Sequence, residues 1–332
     1  MSAATSSPHP KRTLRSPAPQ RNAAPPTVQR TMASSTSQRA TDTPALQRKR
    51  SKSAGRSARS RHFLSRSLKA VAAALIMIYS LFPAYWMIST ALDPHPGVRG
   101  AHLLPSGITF EHFYHVLVES NFSRYLWNSI IVSVCTVLIS ALVALFAAVA
   151  VARFDFPLRK SMLVMILMVQ MIPLEALVIP LFLQAKTLGM LNSYLGLILV
   201  YLAFSLPFAV WTLRGFVAAV PKELEEAAYI DGASWNQMFW KVLFPLVAPG
   251  LVSTSIFAFI TAWNEFIFAL TFMSDGKKYT VAVGLRTFFG QNTNDWGAIM
   301  AASTIITLPV LIFFLIVQTK LSSGLMMGAT KG

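Results

Sequence analysis

The chain has 332 residues, of which 54% are hydrophobic and only 13% charged. That balance excludes an ordinary soluble domain and points to a protein embedded in lipid. Its net charge of +16 is concentrated: residues 1–66 hold fourteen Lys and Arg against Asp42 alone, so thirteen of the sixteen positive charges lie there.

The segment 1–66 is rich in Ser, Ala, Pro, Thr and Arg and lacks hydrophobic periodicity, which predicts a disordered basic cytoplasmic tail. No aromatic residue interleaves with its basic ones before His62 and Phe63, so bases have no platform to stack on and no nucleic-acid partner is expected. Anionic membrane lipid is the expected neighbour. Beyond it, six stretches reach the roughly 20 apolar residues that cross a bilayer: 70–92, 126–152, 162–183, 194–220, 249–272 and 297–319. The first is too long for a secretion-signal core and lacks a small-residue cleavage pattern, so it reads as a retained anchor. Gln170, Pro173, Glu175 and Pro180 interrupt the third, whose freed backbone groups call for burial among neighbouring helices, away from lipid. Cys135, the only cysteine, sits in the second run as a small hydrophobe and excludes an intrachain disulfide. The fold expected is an all-α membrane protein whose permease domain, 67–332, has six transmembrane helices.

With the N-terminus inside, twenty-three Lys and Arg fall on the cytoplasmic side and six on the external side. The positive-inside rule then places both termini and the loop 221–245 in the cytoplasm. Two external loops remain. The loop 93–125 has a short amphipathic stretch near 110–118, with His112 and His115 as an exposed pair. In the loop 273–296, Lys277, Tyr279, Phe288, Phe289 and Trp296 offer polar and aromatic surface.

The loop 221–245 is polar and charged between two spans. Pro221 suits a first helical position, and Glu223, Glu225 and Glu226 follow where carboxylates meet the positive end of a helix dipole. Leu224, Ala227, Ala228 and Asp231 recur at helical steps, giving a helix of roughly 15 Å with a narrow face. Gly232 offers a left-handed exit. Ser234 and Gln237 form a capping box for a second short helix, which Pro245 is expected to end.

Glu226-Ala227-Ala228, three residues, Gly232, nine residues, Val242, one residue and Phe244-Pro245 together resemble the cytoplasmic loop of bacterial ATP-binding-cassette importer permeases. Val242 and Phe244 stand where that family more often has Ile and Leu. Trp127-Asn128-Ser129, Ala152-Arg153-Phe154, Gln170-Met171-Ile172-Pro173, Trp263-Asn264-Glu265-Phe266 and the segment 324–332 are similar to its carbohydrate-importing branch, so the resemblance runs from Leu68 to the end. It implies an inner-membrane permease fold in which Glu226, Ala227, Ala228, Asp231 and Gly232, with Val242 and Pro245, form a coupling helix and its exit. The implied partners are a second, different permease subunit, two copies of an ATPase, an external solute-binding protein and a sugar. No cofactor is implied.

The residues themselves carry no catalytic motif, and the six histidines include no metal-binding helix motif. Carboxylates within spans are costly, which singles out Glu175 and Glu265. With Asn128, Gln170, Trp263 and Asn264 they are the substrate-pathway candidates, offering an aromatic platform and hydrogen-bonding groups. Each also has a packing reading: amides bridge helices, Trp263 can anchor at the interface, and Glu265 can cap a helix or pair with Lys277 or Lys278. At about 100° per residue, Trp263, Asn264 and Glu265 cannot all face one lumen. Two alternatives stay open: the same architecture importing an osmolyte, polyamine or phosphate, and an ion-coupled secondary transporter using Glu175 and Glu265.

Overall fold

The computed structural model describes residues 47–97, 102–290 and 293–328, with side chains described over 68–97, 102–290 and 293–318. The chain divides into two units, Met1–Lys69 and Ala70–Gly332, and the second carries the helical bundle. Among the described residues the regular structure is helical apart from one isolated bridge, Phe289 to Asn294. In chain order the helices are α1 (Gln47–Ala91), α2 (Glu111–Tyr114), α3 (Phe122–Arg153), α4 (Arg159–Gln170), α5 (Val178–Thr187) and α6 (Tyr194–Ala219). They continue as α7 (Lys222–Ile230), α8 (Trp235–Met238), α9 (Phe244–Asn264), α10 (Ile267–Phe272), α11 (Val281–Leu285) and α12 (Trp296–Gly328).

Of the basic tail expected to lack structure, 1–46 lies outside the described residues and 47–66 is helical, forming the first part of α1. Propagating a helix that an apolar run has already nucleated costs little for Lys, Arg, Gln and Ala.

Among the described residues five helices are long and apolar enough to cross a membrane, or six when α4 and α5 are taken as one crossing. The third stretch is not a straight helix, because its two halves meet at 94°. The backbone explains the break. Met171 N–H and Ile172 N–H close the last turn of α4 onto Met168 O and Val169 O, and Pro173 then takes an extended conformation with no N–H to continue the ladder. Within this chain α4 has no fully buried residue, and Ile166 is its contact with the cluster of Leu213 and Val217. Past the bend, α5 buries Ala185 against the cluster of Phe268 and Phe272, whereas Met165 and Met168 of α4 and Met171 just after it are exposed.

The fifth crossing is also shifted. Pro245 does not end the second short helix: α8 passes through a π turn over Phe239–Leu243 into α9, so the helical segment runs Trp235–Asn264. Phe244 N–H reaches back five residues to Phe239 O, and Pro245 then takes an early position of α9, where a missing N–H costs least. The expected end at 272 lies beyond a break at Glu265, after which α10 forms a separate short helix.

The core is organised along α3. On one face, Ser129, Ser133, Thr136, Ser140, Ala144 and Ala148 are buried at steps of three and four, and such small side chains let helix backbones approach closely. One end packs Phe122 and Tyr125 against Phe259, Trp263, Val281 and Phe288. The other packs Leu145 and Ala148 against Leu213 and Val217 of α6 and Phe239 and Leu243 of the π turn. Where α6 passes α9, Gly250 lies so close to the ring of Phe216 that a Cβ there would collide with it.

Helical turns over 111–119 occupy the expected amphipathic stretch. The two histidines there are not an exposed pair: both are half-buried, with His112 Nε2 3.0 Å from Asp93 O and His115 Nδ1 2.8 Å from Glu119 Oε2. The later loop folds back into the bundle, burying Val281, Val283 and Phe288, so Phe289 and Trp296 remain exposed and Phe288 does not.

Candidate functional site

The turn 221–245 joins α6 to α9 at the end of the bundle where α3 also finishes. Pro221 is extended and stands just before α7, which begins at Lys222 with Glu223 and Glu225 in its first turn. The exit is left-handed. Gly232 has φ +80°, its N–H donates to Tyr229 O at 3.0 Å, and Ala233 N–H donates to Ala228 O at 2.9 Å. The capping box then forms in both directions: Gln237 N–H donates to Ser234 Oγ at 3.4 Å, and Ser234 N–H donates to Gln237 Oε1 at 2.9 Å.

Within this turn, Glu226, Ala227, Asp231, Gly232 and Pro245 are exposed, together with Leu224 and Ile230. Ala228 is half-buried against the cluster of Leu213, Val217 and Phe239, so the face drawn from helical spacing is split: three of its four residues point outward and one inward. Val242 is half-buried in the π turn.

One pairing escaped the sequence reading, which placed Glu225 only at the positive end of the helix dipole. Glu225 is only 9% exposed, and its Oε1 accepts from Arg153 Nε at 2.7 Å across the end of α3. Arg153 Nη2 also donates to Val220 O at 2.9 Å, the carbonyl just past α6. The signal was present as three glutamates within four positions, because at about 100° per residue they cannot all face water while the helix packs on a bundle.

The membrane candidates separate into two groups. Asn128 is buried and fully engaged: Nδ2 donates to Lys277 O at 3.1 Å and Tyr279 O at 2.9 Å, and Oδ1 accepts from Tyr194 Oη at 2.9 Å. Trp263 is 1% exposed and stacks on Phe259 with ring centroids 5.5 Å apart. Glu265 Oε1 accepts from Phe268 N–H at 2.8 Å, and its Oε2 accepts from Ala269 N–H at 3.0 Å and Tyr201 Oη at 2.7 Å.

Gln170, Glu175 and Asn264 are exposed in this chain. Gln170 lies at the α4 break beside a groove of about 180 Å³ that is also lined by Phe204, Phe208, Phe257 and Thr261. Asn264 shares one face of α9 with Phe257 and Thr261 by helical spacing, while its own Nδ2 donates to Ile260 O at 3.0 Å. Six candidates therefore do not converge on one lumen. Three serve packing or helix junctions, and three stay on the surface of the chain.

Residues 140–326, which include the whole turn and the break at Glu265, match the family described as the binding-protein-dependent transport system inner membrane component. The chain is 43% identical over 264 residues to the diacetylchitobiose uptake system permease protein DasC of Streptomyces coelicolor, covering 79% of this chain and 96% of that one. It is 38% identical to the trehalose transport system permease protein SugB of Mycobacterium tuberculosis, over 79% and 97% of the two chains. To the trehalose/maltose transport system permease protein MalG of Thermococcus litoralis it is 39% identical, over 81% and 98%. Among solved structures, the fold matches a chain of a bacterial ABC transporter involved in import of the acidic polysaccharide alginate, with TM-score 0.68, 24% identity and coverage of 79% and 97%. The bundle, its polar turn and these likenesses agree, and the chain belongs to the inner-membrane components of binding-protein-dependent transport systems.

Proposed function

We propose that this chain is a permease subunit of an ATP-driven, binding-protein-dependent sugar importer, and that α7 with its Gly232 exit receives the motion of the ATPase. The observation that carries the second part is a short helix between two crossings, with Glu226, Ala227 and Asp231 on its exposed side and a glycine hinge at its end. The relatives named for uptake of diacetylchitobiose, trehalose and trehalose/maltose support a sugar as cargo. The distribution of Lys and Arg supports a cytoplasmic position for α7 and for both termini.

In this reading, ATP closes a pair of ATPase subunits, and α7, seated on one of them, moves with its docking surface. The bundle, paired with a second permease subunit, switches from inward- to outward-facing to accept solute from the external binding protein. Such work requires that α7 docks with different free energy in the two states, since equal affinity shifts nothing. Glu265 is occupied by a helix junction and a tyrosine, which weakens the reading of an ion-coupled carrier.

The test is purification from native membranes through a tag on this chain, with a cysteine at Ile230 for cross-linking and competition of uptake by diacetylchitobiose and trehalose. Co-purification of an ATPase cross-linked at Ile230, with uptake inhibited by one of these sugars, is the expected result. A chain that transports alone, or an Ile230→Cys variant that reacts only with external reagents, overturns the proposal.

A further inference from the structure

The ion pair between Arg153 and Glu225 stands where three elements meet. Its guanidinium closes α3, and one nitrogen holds the Glu225 carboxylate of α7 at 2.7 Å while another holds the Val220 carbonyl just past α6 at 2.9 Å. Both side chains are close to nine-tenths buried. Beside them lies a cleft of about 220 Å³, lined also by Lys222, Glu226, Tyr229 and Trp235.

Only an arginine makes this joint. Its planar fork presents two donors to two acceptors at fixed angles, whereas a lysine ammonium is a single point on a flexible stem. Opening the pair would leave a buried charge without its counter-ion, which is far more costly than breaking a pair on the surface. The start of α7 is therefore fixed to the ends of α3 and α6.

At its other end α7 joins the helical segment Trp235–Asn264 through Gly232, whose backbone is left-handed and where, chain neighbours aside, no heavy atom lies within 4 Å of where a Cβ would stand. A push on α7 thus has one route through a buried ion pair and one through a single uncrowded glycine.

We propose that Arg153 is the strut through which displacement of α7 enters the bundle: the Glu225–Arg153–Val220 joint makes α7, α3 and α6 move as one body, while Gly232 lets α9 lag. This deepens the proposed function and rests on the reading of α7 as the helix that meets the ATPase. Arg153 acts as a positioning residue. From the joint, motion reaches the membrane core along α3, whose small-residue face is buried in the bundle.

The experiment uses the importer purified with its native partners and placed in lipid vesicles. In a Cys135→Ser background, spin labels at Ile230→Cys on α7 and Leu142→Cys on the exposed side of α3 report their separation without nucleotide and with ATP plus vanadate. The separation is expected to be narrow and unchanged between the two conditions. Glu225→Gln and Arg153→Gln broaden it and make it depend on nucleotide, and Arg153→Lys lies between. Nucleotide dependence of the separation is the discriminating readout, since loss of a merely structural contact would broaden it equally with and without nucleotide. Binding-protein-stimulated ATP hydrolysis falls about tenfold in the two glutamine variants, within the range that coupling residues give.

If the glutamine variants keep the wild-type separation and stimulation, or if they broaden the separation equally with and without nucleotide, the strut is wrong. An ATPase that fails to co-purify with the wild-type chain overturns the reading of α7 itself. Normal co-purification with an unaltered separation in every variant overturns the strut alone.

Discussion

Tyr201 on α6 donates its phenolic hydrogen to Glu265 Oε2 at 2.7 Å, and the same carboxylate accepts the N–H groups of Phe268 and Ala269 at the start of α10. Tyr201 is buried, so the carboxylate stitches the break in the fifth crossing to the helix beside it. Glu265→Ala removes three acceptor contacts at once and leaves a buried hydroxyl unpaired. The expected cost is about 1–3 kcal/mol, seen as a lower midpoint of thermal unfolding in detergent. Tyr201→Phe should cost less, because the two backbone donors keep their partner.

Asn128 joins the start of α3 to the chain that follows α10, through the carbonyls of Lys277 and Tyr279. Its neighbour Ser129 accepts the N–H of Val281 at 2.8 Å. Asn128→Ala should therefore loosen residues 277–279 ahead of any global unfolding. Trypsin cleavage at Lys277 and Lys278 is expected to quicken in the purified protein, with the amount of protein in the membrane little changed. Ser129→Ala should instead speed hydrogen exchange at Val281. Equal cleavage rates in Asn128→Ala and wild type would contradict this assignment.

Gly232 is a conformational requirement, since nothing crowds the place where its Cβ would stand. A β-branched residue held at φ +80° pays roughly 1–2 kcal/mol in backbone strain, whereas asparagine tolerates that region. Gly232→Val should impair ATP-dependent uptake while membrane insertion is normal, and Gly232→Asn should retain most uptake. Uptake that is normal in Gly232→Val rejects the hinge.

Gly250 is the opposite case, because a Cβ there collides with the Phe216 ring. Gly250→Leu should force α9 away from α6 and cost about 1–3 kcal/mol, the usual penalty of overpacking. Phe216→Ala in the same chain should recover part of that loss. A double-mutant cycle on thermal stability measures the coupling, and additivity of the two changes would refute the contact.

Several features were legible in the residues because the rules behind them act within one or two turns. Apolar stretches of sufficient length announced the crossings. Ser234 and Gln237 announced a capping box that forms in both directions, and Gly232 announced a left-handed exit that is present at φ +80°. Pro173 announced an interruption, though not its angle of 94°.

What only the tertiary structure decided was the partner of each polar group. Asn128 meets carbonyls 149 and 151 residues away, and Arg153 meets Glu225 across 72. Spacing on α7 could not say which glutamate turns inward, and it placed Ala228 with the outward face. Likewise Pro245 was compatible with ending a helix or starting one, until the π turn before it fixed the hydrogen-bond register. A local pattern sets which conformations the backbone can adopt. The choice among them belongs to contacts between helices distant in sequence, because a buried charge or amide must find its complement wherever packing has put one.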